Sequence, residues 1–132
     1  MARRPKQRPT ISESEWAVMK VIWEDGPMAT GEIYERLAGD RKWAYSTVKT
    51  LVRRLVEKGW LTYRKVGNSF LYRSAVPRAK AVRAAVSEFS SRVLDGLLSP
   101  FVAYYAEEKG LSAEEVARLE EILAQQRKRG GR

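Results

Sequence analysis

The 132-residue chain contains neither cysteine nor histidine. Without cysteine it can hold no disulfide, iron–sulfur cluster or thiolate metal site. Without histidine it lacks the commonest general base and the commonest metal ligand. Carboxylate chemistry and an oxygen-only metal site stay open on composition alone, but the acids fall where helix caps and solvated faces want them. The expectation is therefore a protein that is not an enzyme and carries no metal or cofactor. Long apolar runs are missing as well. The longest notable one, "FVAYYA" at 101–106, is far short of the ~18 residues that span a bilayer, so no membrane insertion is expected. The opening "MARRPKQRPT" is basic with no apolar stretch behind it, which predicts no signal peptide and a cytoplasmic protein.

What the chain has in excess is positive charge, +9 in all, and it is unevenly placed. Residues 1–10 carry four basic residues and no acid. Residues 11–40 carry seven acids against Lys20 and Arg36. Residues 41–78 carry ten basic residues against Glu57 alone. Residues 79–124 carry eight acids against five basic residues, and 125–132 return to four basic residues and no acid. Charge added only for solubility would not need segregation. One basic segment between acidic ones points to a polyanion met by one part of the fold.

The elements follow from period and punctuation. Residues 1–10, with Pro5 and Pro9, read as a flexible basic arm. "ISESEWAVMKVIWEDGP" reads as a first helix, with Ser12 and Glu15 at capping-box spacing and Gly26-Pro27 as its end. Trp16, Met19 and Trp23 recur at helical spacing, which makes the tryptophans core rather than a ligand cage. "ATGEIYERLAGD" is a short second helix, with Thr30 as N-cap, Ile33, Tyr34 and Leu37 facing inward, and Gly39 closing it. The third helix covers 46–58, with Gly59 as a left-handed stop and Trp60 packing back. "WLTYRKVGNSFLYRS" then switches to period two: strands at about 60–65 and 70–74 around Gly67-Asn68. Leu61, Phe70 and Tyr72 are candidates for the inner face, and Arg64, Lys65 and Arg73 for the outer face and tip.

Three helices and a basic hairpin spell a winged helix-turn-helix over 11–77. Beyond Pro77 a long helix carries Val82, Val86, Phe89 and Val93 four and three residues apart. Pro100 starts another helix that Gly110 ends. A last one begins with Ser112 and Glu115 and has Val116, Leu119, Ile122 and Leu123 as its stripe, before a frayed basic tail at 128–132. These narrow stripes bury too little alone, which predicts a homodimer through 78–127. The rival is a compact monomer with these helices folded onto the first half. The fold class is mainly α, an N-terminal winged helix-turn-helix followed by a C-terminal helical dimerisation region.

The third helix carries the chemistry. Val48, Leu51, Val52 and Leu55 form its buried stripe, and its other side bears Ser46, Thr47, Lys49, Thr50, Arg53 and Arg54. A merely solvated face mixes charge signs, because acid–base pairs four apart support it. The major groove of double-stranded DNA admits such a helix. Arg53 and Arg54 offer forks for guanine or phosphate, Thr47 and Thr50 hydroxyls for either, and Lys49 a phosphate counter-charge. Ser46 and Thr47 sit at the helix start, where backbone N–H groups attract phosphate. Arg64 and Lys65 on the wing reach an adjacent groove or backbone.

"ISESEWAVMKVIWEDGPMATGEIYERL", "WAYSTVKTLVRRLVEKGWL" and "FLYRSAV" resemble the penicillinase repressor family, the BlaI/MecI type of bacterial winged-helix regulators, over about 11–123. The resemblance implies an N-terminal DNA-binding domain, C-terminal dimerising helices, and repression from a dyad-symmetric operator, often with TACA and TGTA half-sites. It points to Thr47, Lys49, Thr50 and Arg54 on the recognition helix, with Ser46 where a basic residue is often found. It places dimer contacts at Val82, Val86, Phe89, Val93, Leu119, Ile122 and Leu123. It also implies inactivation by a protease in a membrane sensor pathway, commonly at an Asn-Phe bond. The comparable stretch here, "SPFVAYYAEEKG", contains no asparagine. The cysteine-rich tail of a copper-responsive branch is absent too. The rival from another class is a winged-helix interaction module whose basic face docks an acidic protein or RNA. A third reading is a regulator that senses a small molecule between its domains, with Trp43, Trp60 and Tyr63 lining the pocket, although core and wing packing explain these residues more simply.

Overall fold

The computed structural model describes residues 8–130. The chain divides into two compact units between Val86 and Ser87.

In the first unit, α1 spans Glu13–Asp25, α2 Thr30–Leu37 and α3 Tyr45–Glu57, followed by strands β1 Leu61–Val66 and β2 Ser69–Ser74. The α1 capping box forms as expected: Glu15 N–H donates to Ser12 Oγ at 3.1 Å, and Ser12 N–H to Glu15 Oε1 at 2.7 Å. Gly26, at φ +84°, stops the helix. The α2 cap differs from expectation. Thr30 is the first helical residue and Ala29 the cap, with no side chain to accept from the first turn; the Glu32 carboxylate makes the reciprocal half of a capping box, taking the Ala29 N–H at 2.9 Å. After α3, Gly59 adopts φ +84°, a conformation that costs a residue with a Cβ.

The three helices close on one core of Val18, Met19 and Ile22 from α1, Ile33 and Leu37 from α2, and Val48, Leu51, Val52 and Leu55 from α3. Each such side chain, fully buried, stabilises the fold by roughly 1.5–3 kcal/mol. Trp16 and Trp23 lie half-buried against it, and the Trp23 indole N–H donates to Ser74 Oγ at 2.8 Å and to the Val76 carbonyl at 3.0 Å. Among the described residues every member of this buried core lies in the first unit.

The strands pair antiparallel with Leu61 opposite Ser74 and Val66 opposite Ser69, leaving Gly67-Asn68 as a two-residue turn. Met28 bridges to Tyr72 through two backbone bonds, of 3.0 and 2.9 Å, and so ties the hairpin base to the α1–α2 connection. Only that base meets the core. Leu61 is buried and Tyr72 half-buried, but Phe70, expected on the inner face, is exposed because the hairpin tip projects past the helices.

The second unit begins within α4, Arg78–Phe89. The long helix expected here stops early. Ser90–Leu94 forms a π-helical turn, and Asp95 and Gly96 take φ +50° and +82°. Val93 therefore sits in a π turn, where an extra residue per turn breaks the four-and-three register begun by Val82, Val86 and Phe89. Then come α5, Ser99–Glu108 with Pro100 in its first turn, and α6, Ala113–Gly130. Where a frayed tail is expected from 128, α6 stays helical to Gly130, with Arg127, Lys128 and Arg129 favourably placed at its negative C-terminal end. Phe89, Phe101 and Tyr105 form a ring chain with centroid separations of 5.5 and 6.1 Å. No residue of α5 or α6 is buried. Among the described residues no helix is long and apolar enough to cross a membrane.

Candidate nucleic-acid interface

Helical spacing sorts the outward side of α3 into three rows. Ser46, Thr50, Arg53 and Glu57 run down its middle; Thr47 and Arg54, seven apart, occupy one flank; Lys49 and Val56 occupy the other. The wing stands over the Lys49 flank. Together they enclose a groove of about 650 Å³, with Ser46, Lys49, Thr50 and Arg53 on the helix side, Thr30 from the start of α2, and Tyr63, Phe70 and Tyr72 on the wing side. Thr47 and Arg54 do not line this groove; they face solvent on the far flank.

The polar groups differ in readiness. The Thr50 hydroxyl donates to the Ser46 carbonyl at 3.0 Å, which leaves its oxygen free to accept. Arg53 meets Glu57 at 3.4 Å with both side chains 62% exposed, a weak surface pair that another anion readily replaces. Lys49, Arg54, Arg64 and Lys65 form no ion pair among the described residues.

The strand pleat separates two residues expected to act together. Lys65 lies opposite Phe70, on the face that carries Tyr63 and Tyr72, while Arg64 lies opposite Leu71 and shares the other face with Arg73. Two cations are thus offered to opposite sides of one hairpin. Sequence reasoning missed Thr30, Val56 and Glu57 as groove residues, and placed Phe70 inside. The cross-strand pairing of Tyr63 with Tyr72 was the available signal, since opposite residues share a face.

Behind the interface a clasp fixes the end of α3. Glu15 is the one charged residue buried in the described core. Its Oε1 accepts from Lys58 Nζ at 2.7 Å, and the same ammonium donates to the Thr10 carbonyl at 3.1 Å. Burial pushes the Glu15 carboxyl up. The hydrogen bonds from Lys58 and the Ser12 N–H, with the charge of Lys58, outweigh it and hold the group below the ordinary glutamate range. Arg8 Nε donates to the Gly59 carbonyl at 2.6 Å, and the Trp60 indole N–H to the Pro9 carbonyl at 2.8 Å. Residues 8–10, expected to be part of a flexible arm, are therefore tied to the α3 exit by three hydrogen bonds. Arg3, Arg4 and Lys6 lie outside the described residues.

The penicillinase repressor family model matches residues 11–125. The chain belongs to the penicillinase repressor family. It is 32% identical over 124 residues to the penicillinase repressor of Bacillus licheniformis, covering 94% of this chain and 97% of that protein. The DNA-binding domain of the repressor BlaI, solved in solution, aligns at a TM-score of 0.52 and 34% identity, over 56% of this chain and 90% of that one. The monomeric form of Bacillus licheniformis BlaI in complex with the blaP half-operator aligns at 0.50 and 34%, with the same coverage. In this penicillinase repressor family member, three helices and a two-stranded wing form the winged helix.

Of the apolar positions assigned to dimer contacts, Val82, Val86, Val93, Ile122 and Leu123 are exposed and Phe89 and Leu119 are partly covered.

Proposed function

We propose that this chain is a homodimeric, sequence-specific transcriptional repressor that occupies a dyad-symmetric operator. The observation that carries the reading is the outward face of α3: hydroxyls and cations, with Glu57 at its last turn the one acid, on a helix whose opposite face is wholly buried. Membership of the penicillinase repressor family and the BlaI relative's complex with a half-operator support it. Ser46, Thr47, Lys49, Thr50, Arg53 and Arg54 contact bases and phosphates, and Arg64 and Lys65 contact the backbone on either side of the wing. Two copies, joined through Val82, Val86, Phe89, Val93, Leu119, Ile122 and Leu123, meet half-sites one duplex turn apart, ~34 Å. Repression is by occupancy, so no chemistry is required of the chain.

Cleavage within 99–110 would cut the α6 dimer contacts Leu119, Ile122 and Leu123 from the reading head and so lower operator affinity. Residues 99–110 offer no Asn-Phe bond, so a sensor protease acting here cuts a different bond.

The test is selection from a random duplex pool by the purified full chain, at about 150 mM salt with competitor DNA. Enrichment of an inverted repeat at fixed spacing is expected. Enrichment of no motif, with binding that fades as salt rises, would leave a nonspecific polyanion binder and return attention to an acidic protein or RNA partner.

A further inference from the structure

The groove between α3 and the wing has two walls of different chemistry. On the wing side Tyr63 meets Phe70 edge-on at a centroid distance of 5.2 Å and Tyr72 at 5.7 Å, a continuous aromatic wall. Tyr63 is 50% exposed and Phe70 44%, so half of that wall is wet. Phosphate recognition uses cations, N–H groups and hydroxyls, those of tyrosine included, but it has no use for the exposed Phe70 ring or for the ring faces beside it. On the helix side stand Lys49 and Arg53 with the Ser46 and Thr50 oxygens. Glu57 also lines this side, in its weak 3.4 Å pair with Arg53, while Lys49 is the groove cation that forms no ion pair among the described residues.

A volume of about 650 Å³ lies inside the range of ~300–1,000 Å³ usual for small-molecule sites, and an apolar wall facing a few converging polar groups is their usual composition. The complement of these walls is a flat ring bearing an anion. The ring covers Tyr63 and Phe70 in the offset or edge-on contacts aromatic pairs favour. The carboxylate meets the Lys49 ammonium in a charge-assisted hydrogen bond.

We infer that this groove is a regulatory site for a planar aromatic carboxylate, and that its occupancy excludes DNA from the recognition helix. The ligand site stands on the groove alone; the regulatory consequence rests on the operator reading above. Lys49, Thr50 and Arg53 cannot meet a duplex and a ligand at once, so the two compete. A ligand at ten times its Kd then weakens apparent DNA affinity about elevenfold for each protomer. For an open groove and a ligand this small, a Kd on the order of 1 mM is expected.

The experiment titrates the full chain with 2-naphthoate while amide shifts are followed by nuclear magnetic resonance. 2-Naphthalenemethanol serves as the uncharged probe. In parallel, each probe is added to the chain bound to a labelled duplex at matched ionic strength. Saturable shifts confined to α3 and the wing are expected, with release of the duplex by naphthoate and at least fivefold weaker effects of the alcohol. Phe70→Ala and Lys49→Met, both at exposed positions that leave the core untouched, should each weaken naphthoate binding at least fivefold. No saturation by about 10 mM, shifts scattered over the surface, or unchanged affinity in both variants would overturn the site. Binding in the groove without duplex release would overturn the regulation. Failure of the chain to bind any duplex would sink the operator reading, while the naphthoate isotherm would still decide the ligand site.

Discussion

Removing the Lys58 ammonium should destabilise the first unit more than any surface substitution, because it strands the one buried carboxylate. In Lys58→Met, Glu15 keeps its burial and the Ser12 N–H but loses its charge partner and a 2.7 Å hydrogen bond. Breaking a fully buried pair from one side costs about 3–5 kcal/mol. The Lys58 side chain is 27% exposed, against 2% for Glu15, so water partly replaces the ammonium. The expected loss is therefore about 2–3 kcal/mol. With a urea slope near 1–1.5 kcal/mol/M for a domain of this size, the midpoint should fall by about 2 M. All four tryptophans, Trp16, Trp23, Trp43 and Trp60, belong to the first unit, so tryptophan fluorescence isolates its unfolding.

The pH dependence supplies a sign that packing loss alone does not. In the native protein Glu15 titrates below its ordinary value near 4.5. Its contribution is present in full above that value and is lost as pH falls through the lowered folded pKa. In Lys58→Met burial acts without its main counterweight, so the folded pKa rises. Protonation then relieves the buried charge, and the deficit relative to the native chain should shrink as pH falls from 7 towards about 4.5. Glu15→Gln keeps the acceptor for Ser12 without the charge and should cost only about 1 kcal/mol. A Lys58→Met loss under about 0.5 kcal/mol, or a deficit that widens as pH falls, would refute the clasp.

Three further outcomes follow from the geometry. Arg54→Ala should cost about 1–3 kcal/mol on the selected site and relax preference at one base pair; an equal loss on every sequence would make Arg54 a phosphate contact instead. Neutralising Arg64 or Lys65 should weaken binding evenly over sequences and flatten the salt slope by about one unit each, as read from anisotropy between low and moderate salt. Gly59→Ala, at φ +84° and beside the Arg8 side chain, should cost about 1–2 kcal/mol in the same urea assay, whereas Gly31→Ala, in a helix with open space around it, should cost nothing.

Local signals made the first unit readable from sequence. The Ser12–Glu15 box, the Gly26 and Gly59 stops and the period-two switch after Trp60 each act within a few residues, and each appears where its chemistry predicts. The four-residue buried stripe of α3 likewise needs nothing but helical spacing. The break in α4 was also locally encoded, in Ser90-Ser91 and Asp95-Gly96, but the valine spacing masked it: a heptad pattern holds on paper through residues that close a π turn in space. Phe70 was placed inward because alternation identifies a face and not how far the core beneath it extends. The clasp lay beyond local reading altogether. Glu15 and Lys58 are 43 residues apart, and Arg8 and Gly59 are 51 apart, so only the closed fold brings them together. The groove combined both cases, since its helix wall was legible and its aromatic wall needed the register.

The two units divide stability in a way that bears on control. The first owns every buried core residue among those described, together with the α3 and wing residues proposed to read DNA. In the second, Leu97, Leu98, Ile122 and Leu123 are each more than half exposed, and no side chain of α5 or α6 is buried. Under the proposed pairing, that apolar surface is covered only by a second copy, so the order of the second unit and dimerisation become one equilibrium. Operator occupancy then rises with the square of chain concentration at low concentration, and any event that loosens the second unit lowers it without touching α3. A single charge is enough to test this: Leu123→Asp should leave the urea transition of the tryptophan-bearing unit unchanged while shifting sedimentation from dimer to monomer and weakening binding to an inverted repeat far more than to an isolated half-site. Equal loss on both duplexes, with the dimer intact, would mean that the second unit serves the reading head by some route other than pairing.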